Sequence, residues 1–193
     1  MIDFPIPLLG FSAFSGTGKT TLLTRLLPIL KRQGLRIAVA KHASHLFEID
    51  HPRKDSYELR KAGASQMLVS ARGRMALISE SDTKLPEPGL GQMLDYLDTS
   101  HLDLVLVEGF KNEAIYKIEL HRPALGKPLL CHTDPYIIAV ATDEAIPGVP
   151  HSLPILNLND PQQIAGFIRQ YMHRYGENGL NDQSSHRLQR QLC

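Results

Sequence analysis

The sequence predicts an α/β fold of three layers, in which helices cover both faces of a mostly parallel β-sheet and a β-hairpin forms an extension. Two observations support this prediction. Along most of the chain, short apolar segments alternate with segments of helical periodicity, an order that is typical of parallel sheets. The turn between the first apolar segment and the first helical one, residues 15–18, consists only of Ser, Gly and Thr. Such turns can bring several backbone amides to one place.

In the first half of the chain, apolar periodicity and turn residues define two strands and two helices. Leucines lie on one face of the first predicted helix, and Gly34 follows at a position where a glycine commonly ends a helix. Asp55 is the expected N-cap of the second helix, because Glu58 three residues later completes a capping-box-like pair. The predicted elements are a strand over 7–13, a helix over 19–33, a strand over 35–41 and a helix over 55–64.

The second half begins with a predicted β-hairpin, because Gly73 lies in a turn between two apolar stretches. A nearly continuous apolar run follows at 102–107, interrupted only by Asp103, and such runs are typical of strands covered on both faces. The last helix has Asp160 as its expected N-cap and Pro161 at its first position. The predicted elements are hairpin strands over 66–70 and 74–79, a helix over 90–97, strands over 102–107, 115–120, 137–141 and 155–158, and a helix over 161–175.

The composition is that of a globular protein with no global preference for a polyanionic partner. The 193 residues are 42% hydrophobic and 21% charged, with a net charge of +1, so we expect binding to neither nucleic acid nor membrane. No signal peptide or membrane span is recognisable, and the two cysteines form no CxxC pair. We therefore expect a cytoplasmic protein without a four-thiolate zinc site. Residues 1–175 are predicted to form one domain, and the polar residues 176–193 a disordered tail.

Residues 13–20 match the relaxed Walker A pattern, with alanine in place of its first glycine. A predicted buried strand precedes them and a helix follows directly, which is the context that a P-loop requires. Gly16 and Gly18 can adopt backbone angles that turn successive N–H groups towards one anion. Lys19 would reach the β- and γ-phosphates of a nucleotide, and the Thr20 hydroxyl would bind Mg²⁺. The segment therefore predicts the P-loop NTPase fold.

The whole phosphate loop is expected to contact the nucleotide, with Thr21 close to the α-phosphate. The alternative is a turn that only joins a strand to a helix. The expected nucleotide-binding residues are Ser15, Gly16, Thr17, Gly18, Lys19, Thr20 and Thr21.

A magnesium site in a P-loop protein needs a second acidic residue, and the strand over 102–107 offers two candidates. Glu108 follows the strand at its carboxyl end, the end at which ligands bind in open α/β sheets. Asp103 lies near the other end, roughly 16 Å away in an extended chain. We therefore predict that Glu108, with Thr20, is the metal-binding residue and that Asp103 is not.

These residues, together with three further segments, resemble the MobB family, GTP-binding adaptor proteins of molybdopterin-guanine dinucleotide biosynthesis. The similar segments are Ser-Gly-Thr-Gly-Lys-Thr-Thr at 15–21, Lys-His at 41–42, Lys-Asp-Ser-Tyr-Glu-Leu-Arg-Lys-Ala-Gly-Ala at 54–64, and Val-Glu-Gly-Phe-Lys at 107–111. The similarity runs from about residue 8 to residue 175. One departure is Arg53, which stands where the family usually has glycine, so the conformation of that loop is in question.

The resemblance implies a function and partners. Members of the family bind GTP, hydrolyse it slowly and assist the guanylyltransferase that forms the dinucleotide of the molybdenum cofactor. The resemblance therefore implies GTP and Mg²⁺ as cofactors, a homodimer, the guanylyltransferase as partner and molybdopterin as a further candidate ligand. The protein would act mainly as an adaptor and only weakly as a GTPase.

The loop after the second predicted strand contains further candidates. Asp50, Lys54 and Asp55 lie where a P-loop GTPase has residues that meet the metal and the attacking water, and Asp50 joins Lys19 and Glu108 as a predicted catalytic residue. A solvated charged loop is the alternative.

Histidines in the same region suggest a metal site, although the ligand set is incomplete. His42, His45 and His51 lie close in sequence, but no cysteine completes a tetrahedral zinc site. Contacts with phosphate or with a partner are the preferred interpretation.

Guanine selectivity has no clear motif, because Asn-Lys-x-Asp is absent from the sequence. Asp160, in Asn157-Leu158-Asn159-Asp160, follows a strand and could accept hydrogen bonds from guanine. It could equally serve only as the N-cap of the last helix. Thr142-Asp143 is a second candidate for the same role.

Two other functions are compatible with the sequence. The first is a small-molecule kinase, in which Arg53, Arg72 and Arg74 would form a lid over the phosphates. The second is a metal-insertion GTPase that uses the histidine-containing loop.

Overall fold

The computed structural model describes residues 1–43, 47–80 and 86–177. It contains two compact units: Met1–His42 together with the chain from Leu90 onward, and Ala43–Gly89. The strands, numbered along the chain, are β1 (Leu8–Ser12), β2 (Ile37–Lys41), β3 (Gln66–Ala71), β4 (Arg74–Ser79), β5 (Leu104–Glu108), β6 (Lys117–His121), β7 (Ile137–Thr142) and β8 (Ile155–Asn157). The α-helices are α1 (Lys19–Arg32), α2 (Asp55–Lys61), α3 (Leu90–Leu94) and α4 (Pro161–Glu177).

The larger unit contains a parallel sheet of six strands within the described residues. Its order is β2-β5-β1-β6-β7-β8, and each neighbouring pair of strands is parallel. Strand β1 therefore has β5 on one side and β6 on the other. The carboxyl ends of β1, β2, β5, β6 and β7 lie at one edge, which is where an open α/β sheet binds its ligands.

Apolar side chains cover both faces of this sheet. On one face, leucines of α1 and apolar residues of α4 pack against β1, β5 and β6 in a single buried cluster. On the other face, Leu90 and Leu94 of α3 pack against Leu8, Val105 and Val107. Helices therefore lie on both sides of a parallel sheet, and the predicted three-layer α/β fold is confirmed. None of the helices in the described part of the chain is long and apolar enough to span a membrane.

The smaller unit contains α2 and the predicted hairpin. Strands β3 and β4 pair in antiparallel fashion, and the turn Arg72-Gly73 places Gly73 at φ 77°. This positive φ explains the glycine, because other residues adopt such an angle only with strain.

Both ends of α2 differ from the prediction for identifiable reasons. Helix α2 begins at Asp55 itself, and its N-cap is Lys54, whose side chain makes no capping hydrogen bond. The predicted N-cap role of Asp55 is therefore wrong. Its carboxylate lies in the first turn, where its negative charge interacts favourably with the helix dipole. The same helix ends at Lys61 rather than at residue 64, since Gly63 adopts φ 118°.

Strand β5 begins later than predicted, and it includes Glu108. Asp103 lies before the strand, where its carboxylate accepts hydrogen bonds from the Arg36 backbone N–H at 2.7 Å and from the Arg36 guanidinium. At the other end of the chain, α4 extends to Glu177, two residues beyond its predicted end. The rest of the predicted tail, residues 178–193, lies outside the described residues.

Candidate nucleotide-binding site

The phosphate loop joins β1 to α1 at the carboxyl edge of the sheet. Gly18 is the N-cap of α1 and adopts φ 99°, while Gly16 adopts φ 83°. Both angles are unfavourable for residues with a side chain. The first N–H groups of any α-helix have no acceptor within the helix, and here the exposed Thr20 and Thr21 lie in that first turn. The loop therefore has the form of an anion-binding site.

Thr17 plays a structural part in this loop. Its side chain is buried, and the hydroxyl donates to the carbonyl oxygen of Phe14 at 2.8 Å. Ser15 and Gly16, by contrast, are exposed. A contact between Thr17 and the nucleotide would therefore involve its backbone.

Lys19 lies across the loop in the structure. Its Nζ donates to the carbonyl oxygen of Ala13 at 3.2 Å. Burial is the main cause of a lowered pKa for Lys19. The Glu108 carboxylate opposes that shift, and the charges of Lys41 and Lys111 add to it. Four charged side chains are therefore close enough to interact at this edge of the sheet.

Glu108 is the last residue of β5 and is almost fully buried. Its Oε2 lies 3.2 Å from Nζ of Lys41, the last residue of β2 and its register partner. The predicted metal-binding acid is therefore at the same edge as the phosphate loop, whereas Asp103 pairs with Arg36 at the opposite edge.

The Lys41-His42 and Glu108-Gly109-Phe110 segments are in direct contact. The His42 N–H donates to the carbonyl oxygen of Glu108 at 2.9 Å, and the His42 ring lies 5.3 Å from that of Phe110. A Cβ atom on Gly109 would lie 3.0 Å from the Cβ and carbonyl oxygen of His42. Only glycine fits at that position without a shift, which explains Gly109 in the Val-Glu-Gly-Phe-Lys segment.

The chemistry of these residues fits a magnesium ion. Mg²⁺ prefers hard oxygen ligands and usually binds one or two carboxylates together with substrate phosphates. Glu108 supplies a carboxylate that is already paired with a cation, and Thr20 supplies an exposed hydroxyl at the start of α1.

Arg122 is a residue of this site that sequence reasoning missed. It follows β6 directly, and its Nε donates to the carbonyl oxygen of Thr17 at 2.9 Å. Its Nη1 donates to the carboxylate of Asp143, which follows β7. The position of Arg122 after a strand of the central sheet is a signal that could have identified it.

Asp143 and Asp160 were both candidates for guanine recognition. The Asp143 carboxylate pairs with Arg122. Asp160 Oδ1 accepts hydrogen bonds from the N–H groups of Gln162 and Gln163 at 2.9 and 3.1 Å, so it is the N-cap of α4. Nearby, Asn157 Oδ1 accepts from the Asn159 N–H at 2.9 Å. Both members of the Asn…Asp pair therefore have local structural partners, and a guanine contact by Asp160 stays a prediction.

The predicted catalytic residue Asp50 lies in the smaller unit, in a charge cluster around the buried side chain of Arg60. Arg60, 7% exposed, pairs there with Glu48, Asp50 and Glu80. Burial alone would raise the pKa of Asp50. Hydrogen bonds from Ser56 and the His51 N–H, together with the Arg60 charge, outweigh it and lower the pKa. The cluster accounts for Asp50 structurally, and its catalytic role stays a prediction.

Other candidates also belong to the smaller unit. Lys54 and Asp55 lie at the start of α2, and Arg72 and Arg74 at the hairpin turn. Arg53 adopts φ 76°, the conformation that favours glycine. The loop therefore adopts a glycine-like conformation despite the arginine.

The histidine-based metal site has no support in the described part of the chain. No group of three or more His, Cys, Asp or Glu residues there could coordinate a metal ion. His45 lies outside the described residues, so a site that includes it stays a hypothesis.

Comparisons with known proteins agree with this geometry. The family model of molybdopterin guanine dinucleotide synthesis protein B (MobB) matches residues 8–143. The molybdopterin-guanine dinucleotide biosynthesis adapter protein of Escherichia coli K12 is 46% identical over 177 residues, which cover 90% of this chain and 97% of that protein. The adapter protein of Haemophilus influenzae is 41% identical over 171 residues, covering 88% and 92%.

Solved structures show the same fold. The crystal structure of Bacillus subtilis MobB superposes with a TM-score of 0.65 at 25% identity, covering 86% of this chain and 98% of that one.

Proposed function

Because this chain belongs to the MobB family, it is an adapter of molybdopterin-guanine dinucleotide biosynthesis, and we propose that it acts by binding GTP and Mg²⁺ at the phosphate loop and hydrolysing GTP slowly. The observation that carries the proposal is the convergence of this loop, Lys19 and Glu108 at one edge of the sheet. Loop amides and a lysine suit phosphates, and a paired carboxylate beside them suits a metal ion.

The residues of the loop have distinct tasks in this proposal. N–H groups of the loop bind the phosphates, and the positive φ angles of Gly16 and Gly18 suit such a loop. The Thr17 N–H, which donates to the carbonyl oxygen of Phe14 at 3.4 Å, would exchange that long hydrogen bond for a phosphate oxygen. Lys19 exchanges its hydrogen bond with the carbonyl oxygen of Ala13 for phosphate oxygens. Thr20 and Glu108 would bind Mg²⁺, which neutralises charge on the phosphates when it is bound.

The partners are proposed from the family. The proposed protein partner is the guanylyltransferase that completes the dinucleotide, and molybdopterin is a candidate ligand. The chain is also proposed to form a homodimer in the cytoplasm. The family is also the reason for proposing GTP rather than ATP as the nucleotide.

Calorimetric titration of the full chain with GTP, ATP and GDP, each with and without Mg²⁺, tests the nucleotide part. We expect Mg²⁺-dependent binding of GTP that Lys19→Ala weakens about 10- to 150-fold, because a charge-assisted contact of ~1.5–3 kcal/mol is lost. Lys31→Ala is the matched control, since Lys31 is an exposed lysine in the last turn of the same helix. Equal affinity of the wild type and Lys19→Ala would contradict the proposal.

Co-purification with the guanylyltransferase tests the adapter part. We expect the two proteins to form a complex that size-exclusion chromatography detects. Stronger binding of ATP than of GTP, or transfer of the γ-phosphate to an acceptor other than water, would favour the kinase alternative.

A further inference from the structure

The charge at the phosphate loop exceeds what Lys19 and Glu108 account for. Lys41 and Lys111 are both close enough to lower the pKa of Lys19, and Glu108 is the carboxylate that acts against them. Lys41 lies 3.2 Å from Glu108, and three lysines against one carboxylate leave an excess of positive charge at the edge where the phosphate loop begins. Such an excess is compensated when a polyanion binds.

Lys41 lies at the edge of the sheet where such a polyanion would bind. It is the last residue of β2, in register with Glu108 of β5, and Phe11 of β1 is the next register partner in the sheet. Side chains at aligned positions of neighbouring strands lie on one face, and Phe11 packs in the cluster that contains α1. The side chains of Lys41 and Glu108 therefore lie on the face of the sheet that α1 covers. Lys19 is the first residue of that helix.

The pair of Lys41 and Glu108 is unequal in exposure. The Lys41 side chain is 54% exposed, whereas that of Glu108 is 11% exposed. The ammonium group is therefore within reach of a ligand from solvent, whereas its departure alone would leave the buried Glu108 carboxylate uncompensated, which is costly. Lys41 can leave Glu108 at small cost if Glu108 gains another cation and Lys41 gains another anion.

We propose that Lys41 is a further phosphate ligand of the nucleotide site, which pairs with Glu108 in this structure and moves to the terminal phosphate of the triphosphate. This inference rests on the proposed function, since Glu108 is free to release Lys41 only if Mg²⁺ binds there. It assigns a chemical role to the Lys41-His42 segment, which the phosphate loop alone leaves unexplained.

A purely structural role for Lys41 makes a different prediction. If Lys41 only neutralises Glu108, its removal has no consequence once Glu108 is uncharged. If Lys41 binds phosphate, its removal weakens triphosphate binding whether or not Glu108 is charged. A double-mutant cycle separates the two roles.

The experiment measures dissociation constants of a non-hydrolysable GTP analogue and of GDP for the full chain at saturating Mg²⁺. The variants are Lys41→Met, Glu108→Gln, the double variant and the control Lys31→Met, an exposed lysine at the far end of α1. We expect Lys41→Met to weaken the analogue about tenfold and GDP much less, and to do so also in the Glu108→Gln background. Lys41→Arg keeps the charge and is expected to retain most of the affinity.

Three results would overturn the inference and leave the proposed function standing. One is a loss of analogue affinity that disappears in the Glu108→Gln background, and another is an equal loss for the analogue and for GDP. If Lys41→Met does not fold, Lys41→Gln replaces it, and unchanged affinity in that variant is the third. Failure of the wild type to bind GTP at all would overturn the proposed function and this inference with it. GTP binding that needs Lys19 but not Lys41 would overturn only the inference.

Discussion

Arg122 donates a hydrogen bond from Nε to the backbone carbonyl oxygen of Thr17 at 2.9 Å, although 105 positions separate the two residues. The same guanidinium pairs with Asp143, which follows the neighbouring strand β7. A side chain on Gly18 would place its Cβ 3.8 Å from Nη2 of Arg122. The arginine therefore holds the backbone of the phosphate loop from the end of β6.

Arg122→Gln is expected to weaken GTP binding about tenfold, because the loop loses a contact that orders it before the nucleotide arrives. Asp143→Asn is expected to act in the same direction and more weakly, since it leaves the contact with Thr17 in place. Calorimetric titration measures both. Arg36→Gln is the matched control, because it removes an Arg–Asp pair at the opposite edge of the sheet.

Affinity in this experiment is measured well below the melting temperature of each variant. A merely structural role for Arg122 would lower that temperature and leave the affinity for GTP unchanged, which would contradict the assignment. Arg122→Lys keeps the charge but not the fork of donors, so we expect an intermediate affinity.

The sequence predicted the parts of this site that depend on local pattern. The phosphate loop, the glycines in it and the acid after an apolar strand are all recognisable from neighbouring residues. The contacts of Arg122 with Thr17 and of Lys41 with Glu108 depend on which strands are adjacent and in which register. No local pattern contains that information.

The wrong prediction of Asp55 as the N-cap of α2 has a similar cause. Asp55 and Glu58 match the spacing of a capping box, but the spacing does not specify which residue adopts helical angles first. Lys54 is extended at ψ 142° and is the N-cap, so the helix begins at Asp55, one residue earlier than a cap at Asp55 would allow. Helix boundaries are commonly uncertain by a residue or two for this reason.

Arg53→Gly is expected to stabilise the smaller unit by up to about 1 kcal/mol. Arg53 adopts φ 76°, a conformation that costs residues with a Cβ roughly 1–2 kcal/mol, and the greater entropy of glycine in the unfolded chain offsets part of the gain. Thermal unfolding monitored through the amide signals of β3 and β4 measures the change. Arg72→Gly is the control, and a decrease in stability for Arg53→Gly would contradict the strain argument.

The charge cluster around Arg60 predicts that the smaller unit is sensitive to acid. Hydrogen bonds from Arg60 and Lys61 lower the pKa of Glu48, and the pKa of Asp50 is lowered as well. Groups whose pKa is lower in the folded state stabilise it above their unfolded pKa, near 4, and lose that contribution as the pH falls through the folded value. Stability of this unit should therefore decline as the pH falls below about 4.5.

Amide signals of β3 and β4, followed in a pH titration, test this. Arg60→Met removes the cation that the carboxylates share, so its stability should be lower at neutral pH and should change less with acid. An acid-induced decline of the same size in the wild type and in Arg60→Met would contradict the assignment to this cluster.

Asp103, which directly precedes β5, and Glu108, which ends it, make the sharpest comparison. Glu108→Gln keeps the size of the side chain and removes its charge, so we expect a higher Mg²⁺ concentration for half-maximal GTP binding and slower hydrolysis. Asp103→Asn changes the partner of Arg36 at the opposite edge and is expected to leave both quantities unchanged. GTP binding and hydrolysis are measured against Mg²⁺ concentration for both variants. A shift caused by Asp103→Asn and not by Glu108→Gln would show that the metal site has been placed at the wrong end of the strand.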